Sequence, residues 1–346
     1  MEKEDEGRKI VPEDQFQVGF FRPEDAAGIV GLFRAVYGEG YPIKIFYDER
    51  ALTQANADGQ YYSIVARTQS GKVVGVEHLY RSAPCKSLYE TGAGLVLKEY
   101  RQFGLNKRML RFIYDEWVPK QEAIEETFGE AVCNHPYMQR VVSQMGHFET
   151  ALEVALMPAE AYDKEGRATG RVAALLIFRS YKPKPHGVFL PPAYEKELRW
   201  IYSRLDDSRD LGAAEKSVPV DLPSKGKMTV FDFARVARIA IHESGHDLAE
   251  YLTNLENQAV AQKAVVIQVW LKLSSPWSGS AVDILRSKGY FFGGVLPRWF
   301  DEDGLLMQKL LCDPDFDGIN LYSDEAREIF AMVKEDWARA RSLGDQ

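Results

Sequence analysis

Apolar residues in this chain fall into two alternating patterns, short consecutive or every-other-residue blocks and longer spans with a repeat of three to four, which predicts strands interleaved with helices. Phe16 to Phe21 reads as a strand. Arg22-Pro23-Glu24-Asp25 then opens a helix carrying Ile29, Leu32, Phe33 and Val36, with proline and two acids in the first turn as helix starts favour. After a loop rich in Tyr and Gly, Tyr61 to Thr68 and Lys72 to Leu79 read as strands joined by Gln69-Ser70-Gly71. A strand ending at Leu97 and a helix to about Trp117 follow, then a strand from Gly129 to Cys133, a helix from Pro136 to Met145, and strands Ala151 to Leu156 and Val172 to Phe178. The predicted order is β-α-β-β-β-α-β-α-β-β.

Where the strand ending at Leu97 gives way to a helix, the chain reads GAGLVLKEYRQFGLNKRMLRFIY. Leu95, Val96 and Leu97 form the strand, and Leu105, Met109, Leu110 and Ile113 recur at helical spacing, so Arg101 to Lys107 lies at the junction. A helix start offers unpaired N–H groups and a partial positive charge, and Gly104 allows backbone to approach an anion closely. Arg101, Lys107 and Arg108 add full charges. The RxxGxN pattern of Arg101, Gly104 and Asn106 resembles the pyrophosphate signature of the GCN5-related N-acetyltransferases, Q/RxxGxG/A, with asparagine in place of the last glycine or alanine. The element order, and Gly146-His147-Phe148 after the second helix, resemble that family too, over roughly Phe16 to Tyr181.

The resemblance implies an acetyl-CoA site. Arg101, Gln102, Phe103, Gly104, Leu105, Asn106 and Lys107 would hold the pyrophosphate, the backbone of Leu95, Val96 and Leu97 the pantetheine arm as a neighbouring strand would, and Asn134 would hydrogen-bond that arm. Amine acylation needs a base and an acid. Glu90, eleven positions before Arg101, is the candidate base, with Glu77 and His78 as second choices. The family often has a tyrosine four residues before its Gly-Phe turn, where this chain has Val142, so His135 and Tyr137 are the candidate acids.

At 346 residues the chain is about twice the length of one such domain, which predicts a charged tail at 1–14, an acetyltransferase domain at 15–184 and a second domain at 185–346. The joint Lys182-Pro183-Lys184-Pro185-His186 and Leu190-Pro191-Pro192 interrupts regular structure, and Tyr194 to Arg204 reads as a helix. Asp206 to Lys227 reads as a loop with one strand. Val265 to Leu273 is a predicted strand, Ser278 to Lys288 a helix, Gly289-Tyr290-Phe291 a turn like Gly146-His147-Phe148, and Phe292 to Phe300 and Leu305 to Leu311 a strand pair. This repeats the end of the first half at an offset of 143. The second half therefore looks like a degenerate copy, in which nothing resembling RxxGxG precedes a helix. Asp324 to Arg341 predicts a docking helix with Ile329, Phe330, Val333 and Trp337 inward.

His242-Glu243-Ser244-Gly245-His246 fits HExxH, which on a helix would place two zinc ligands one turn apart. No third ligand follows at suitable spacing, so a zinc metallopeptidase is the remote alternative. A strand ending at Ile241 before a polar helix start is the bland reading of the same residues.

Hydrophobic content of 45%, charged content of 27% and a net charge of -8 describe a soluble globular chain that attracts cationic amines more readily than nucleic acid. Three widely spaced cysteines, Cys85, Cys133 and Cys312, indicate free thiols. With no secretory or membrane-length apolar run, the expected location is the cytoplasm, with no membrane partner. The expectation is a mixed α/β N-acetyltransferase using acetyl-CoA on a small-molecule or peptide amine, as a monomer or homodimer. The alternative of another class is a non-catalytic acyl-CoA sensor.

Overall fold

The order of strands and helices that the hydrophobic pattern predicts is present, with additions, in the computed structural model, which describes residues 15–161 and 170–344. The predicted charged tail at 1–14 lies outside the described residues. The chain forms two compact units, one of residues 1–80 and 91–121 and the other of residues 81–90 and 122–346.

In the first unit, β1 (Phe16–Phe20), β2 (Tyr61–Thr68), β3 (Val73–Tyr80) and the later part of β4 (Leu88–Val96) lie in that order. β1 and β2, and β2 and β3, pair antiparallel. Helix α1 (Ala26–Tyr37) starts as its proline and acids predict: the Arg22 amide donates to Asp25 Oδ2 at 2.6 Å, and Arg67 of β2 donates through Nε to Asp25 Oδ1 at 2.7 Å. Ile29, Leu32 and Phe33 of α1 pack with Val65, Val76 and Leu95 in one buried cluster. The Tyr- and Gly-rich stretch contains a helix that the periodicity leaves as loop, α2 (Glu49–Ala57). Asp48 caps it, accepting from the amides of Arg50 and Ala51 at 2.9 and 3.0 Å, and Leu52 and Phe46 anchor it to the same cluster. α3 (Leu105–Arg111) continues into a π-helical turn, Phe112–Trp117.

In the second unit the start of β4 pairs parallel with β5 (Glu126–Val132), from Leu88↔Glu126 to Glu90↔Phe128. α4 (Tyr137–Ser143), β6 (Phe148–Pro158) and β7 (Arg171–Ser180) follow, with β7 antiparallel between β5 and β6. Between the prolines of the joint lies a strand, β8 (His186–Leu190), which pairs parallel with β9 (Arg209–Ala213) after α5 (Glu195–Tyr202). Prolines 183, 185, 191 and 192 flank β8 and spare its own amides, so the joint is not irregular throughout.

The remaining elements repeat the latter half of the first copy. β10 (Lys225–Phe231) pairs antiparallel with β11 (Val236–Glu243), and β11 pairs parallel with β12 (Val266–Lys272) across α6 (Leu248–Ala261). α7 (Ser278–Ser287) leads to β13 (Phe291–Leu296) and β14 (Gly304–Leu310), with β14 antiparallel between β12 and β13. The parallel pair, two helices and closing hairpin are thus present twice. The chain is mixed α/β, with this arrangement in tandem. The last element, α8 (Asp324–Gly344), buries Ile329 and Val333 as predicted and packs on β6 and β13.

The copies meet at equivalent positions. β6 and β13 pair antiparallel through Ala151 and Gly294, which are 143 residues apart, the same offset that relates the two Gly-aromatic turns. The irregularities match as well: β6 slips register between Glu149 and Ala151, and β13 between Phe292 and Gly294, leaving Thr150 and Gly293 as counterpart bulge residues. Gly294 has φ +123°, and a Cβ there would lie 2.3 Å from the Thr150 carbonyl oxygen and 2.4 Å from Ala151 Cα.

Neither backbone atom can step aside, so Gly294→Ala combines strain with overpacking and is expected to destabilise the chain by about 3 kcal/mol or more. Gly187→Ala, where an added Cβ meets nothing within 4 Å, is the control and should change stability by less than about 1 kcal/mol. Urea unfolding checks both; equal midpoints for the two variants would remove Gly294 from its role at the junction.

Candidate functional site

The junction between β4 and α3 belongs wholly to the first unit. Ala93, within β4, has φ +54°, a left-handed value uncommon away from glycine. The Leu97 amide donates to the Val74 carbonyl at 3.0 Å, and Arg101 Nε donates to the Val96 carbonyl at 3.2 Å. Lys98–Phe103 forms a 3₁₀ turn, and Gly104 reverses the chain at φ +66° as the N-cap of α3. A Cβ on Gly104 would meet nothing within 4 Å, so the turn is open on that side. In the first turn of α3 the amides of Leu105 and Asn106 have no partner within the helix. Leu95 and Val96 are buried, whereas Arg101, Gln102 and Gly104 are exposed. The junction thus brings together the predicted strand, turn and basic residues.

Asn106, the departure from the family signature, has a structural task. Its Nδ2 donates to Glu77 Oε2 at 3.0 Å. Glu77 projects from β3 against Gly94 of β4, where a Cβ would come within 2.1 Å of the carboxylate. The carboxyl is 2% exposed, and burial pushes its pKa up to about 8 although the Asn106 amide opposes the shift. His78, the next residue, is fully buried and faces the other side of β3, with its ring 4.6 Å from that of Phe46. Burial lowers its pKa to about 3, and its Nδ1 lies 2.8 Å from Ser63 Oγ.

The candidate acids and base belong to the second unit. Glu90 is 9% exposed and accepts a hydrogen bond from Ser82 Oγ. It joins a charged row that sequence reasoning missed. Arg238 of β11 donates to Glu130 of β5 at 2.7 Å, to Glu153 of β6 at 2.9 Å and to Gln268 of β12 at 2.9 Å. Burial pushes the Glu153 pKa up to about 8, Arg238 pulls it back, and the charges of Glu130 and Glu90 raise it further. No local motif marks such a row, since its members come from strands on both copies. Beyond β5, Asn134 Oδ1 and His135 Nδ1 are buried without a hydrogen-bond partner among the described residues. Tyr137 opens α4, is 72% exposed and lies 5.0 Å from the His135 ring, whereas Val142 is buried. Cys133 is sealed, 1% exposed, with burial pushing its thiol up to about 12.

The HExxH reading is overturned. His242 and Glu243 end β11 and His246 lies in the turn after it, so the two histidines do not share a helical face. Glu243 pairs with Lys225 at 3.0 Å, and among the described residues no group of three His, Cys, Asp or Glu side chains could hold a metal. The motif is instead the second copy's strand-turn-helix junction. His242, Gly245 and Asp247 stand 141 positions after Arg101, Gly104 and Asn106, ahead of α6. This junction is closed. The Gly245 amide donates to Ser224 Oγ at 3.0 Å, the His246 amide to the Leu222 carbonyl at 3.1 Å, and Asp247 Oδ1 accepts from the Ser224 amide at 2.6 Å. A Cβ on Gly245 would lie 2.0 Å from the Leu222 carbonyl oxygen.

Glu77 links the first junction to pH. Its folded pKa lies above the ordinary 4.5, so the stabilising protonated form is fully present below about pH 4.5, and stability is lost as pH rises toward about 8. Glu77→Gln should flatten this window. Between pH 5 and pH 8 the parent is expected to lose about 3 kcal/mol more than the variant in urea unfolding. Parallel pH profiles would contradict the raised pKa.

No family model matches the chain, and no curated protein matches it. Among solved structures it is similar to a ribosomal-protein-S5-alanine acetyltransferase from Vibrio fischeri, at 13% identity over 49% of this chain and 96% of that one, with a TM-score of 0.40. An N-acetyltransferase from Staphylococcus aureus Mu50 matches at 10% identity over 48% and 99%, TM-score 0.40. A dodecameric spermidine N-acetyltransferase from Vibrio cholerae in an intermediate state matches at 12% over 49% and 95%, TM-score 0.37. These likenesses extend over about half of the chain, and the strand order described above stands independently of them.

Proposed function

We propose that the chain is an acetyl-CoA-dependent N-acetyltransferase acting on a small-molecule or peptide amine. The observation that carries this reading is the open strand-turn-helix junction, with Gly104 left-handed, free space beside it and Arg101 anchored to the end of β4. Arg101 to Lys107 would hold the pyrophosphate through first-turn amides and cationic side chains. Leu95, Val96 and Leu97 would hold the pantetheine arm along their backbone, and the unpaired Oδ1 of Asn134 suits a hydrogen bond to the same arm. Bound acetyl-CoA would supply the activated acetyl thioester.

Glu90 would take the proton of the incoming amine, with Ser82 orienting its carboxylate. A proton would return to the leaving sulfur from His135 or Tyr137. His135 Nδ1 is unpaired, and the two rings are adjacent. The second copy would take no cofactor at its closed junction and would contribute Arg238 to the charged row. Buried Val142 offers no proton where many members of the family carry a tyrosine, and this favours one second reading, a non-catalytic acyl-CoA sensor.

One experiment separates the readings. Calorimetric titration should give one acetyl-CoA per chain, abolished by Gly104→Glu. With an accepted amine, Glu90→Gln should lower thiol release by roughly 100-fold or more while affinity for acetyl-CoA stays within a few-fold. Binding without thiol release across an amine screen would establish the sensor, and no binding by the folded parent would reject both.

A further inference from the structure

A hollow of about 400 Å³ lies at the carboxyl ends of the second copy's parallel strands, with Pro84 to Ser87 of the β3–β4 loop completing its lining. The β11–β12 ladder ends at Ile241↔Leu271, and the next residues, His242 and Lys272, line the hollow together with Phe300, Lys86 and Asp301. Ligands of open α/β sheets bind at this end of parallel strands. Phe300 forms one wall. The His242 ring meets it edge-on at 5.8 Å and 83°, and Lys272 Nζ lies 5.8 Å from its centroid. His242 also occupies the place in its copy that Arg101 has in the first.

The charge around this hollow is unbalanced. Asp301 is bonded to Lys184 and lies 4.0 Å from Arg298, so its charge is already answered. Lys86 and Lys272 show no ion pair among the described residues, and Lys227 adds to the field at His242. After burial, Lys272 lowers the His242 pKa most, Glu243 opposes it, and Lys227 lowers it further. Lys86, Lys272 and Lys227 thus give this hollow a positive character in a chain of net charge -8, which favours an anionic ligand. The amides of the adjacent turn cannot supply an anion site, because Leu222 and Ser224 occupy them. Side chains remain.

We propose that this hollow binds a small organic anion, with a carboxylate or phosphate group between Lys272 and Lys86 and a flat apolar body against Phe300. The site is independent of the acetyl-CoA reading, since its lining residues take no part in the first junction. It would give the second copy a ligand of its own, held by side chains where the first copy uses backbone.

The test uses the full chain carrying Gly104→Glu, so that the first junction does not report. Benzoate, phenyl phosphate and inorganic phosphate are titrated and followed by chemical-shift perturbation of the His242 and Trp side-chain signals. At least one aromatic anion should bind more tightly than inorganic phosphate, and which of the two does so distinguishes carboxylate from phosphate recognition. Lys272→Glu should weaken that binding tenfold or more, and Phe300→Leu should remove the preference for the aromatic probes, both without a change in melting temperature. Lys272→Met serves if the charge reversal unfolds the chain. The proposal fails if no probe binds, if inorganic phosphate binds as tightly as the aromatic anions, or if Lys272→Glu or Lys272→Met leaves binding intact in a folded chain.

Discussion

Whether the backbone amides after a β-strand are left open or are already bonded decides what each half of this chain can do. A helix N-terminus is an anion site only while its first amides lack partners. In the first copy Gly104 turns the chain with nothing within 4 Å of where a Cβ would sit, and the Asn106 side chain is drawn to Glu77. In the second copy the same turn is present, but Leu222 and Ser224 accept from the amides of His246 and Gly245. The two turns share a place in their copies and differ in a few hydrogen bonds.

Buried charge is the other recurring theme. Glu77 and Glu153 are both pushed up to about 8 by burial, one held by a neutral amide and one by a guanidinium. Leaving such groups in a core costs stability unless each finds a partner, so their retention is easier to understand where chemistry or positioning needs them. Arg238 makes the point for the second copy: it reaches Glu130 and Glu153 of the first-copy strands, and Glu90 is among the charges that act on it.

Much of the fold was legible in the sequence because it depends on local periodicity. The strands around Val65, Val76 and Leu175 and the helices with Ile29 and Met109 follow directly from apolar spacing, and the glycine turn at Gly104 from its residue type. Helix α2 was missed because its apolar face is only Leu52 and Ala55, although the Asp48 cap was a usable signal. Strand β8 was hidden by the prolines on either side of it. The row around Arg238 was not legible at all, because its members meet only after distant strands pair. HExxH stayed a remote alternative for the opposite reason: its spacing is local and correct, but it fits zinc only on a helix, and Val236 to Ile241 with its β-branched residues commits the segment to a strand.

The asymmetry between the two junctions is the central claim, and amide hydrogen exchange measured with and without acetyl-CoA tests it most directly. Protection should rise across Arg101 to Lys107 and along Leu95 to Leu97, while His242 to Asp247 exchanges at the same slow rate in both conditions. Protection gained at His242 to Asp247, or none gained at Arg101 to Lys107 under saturating acetyl-CoA, would contradict the account.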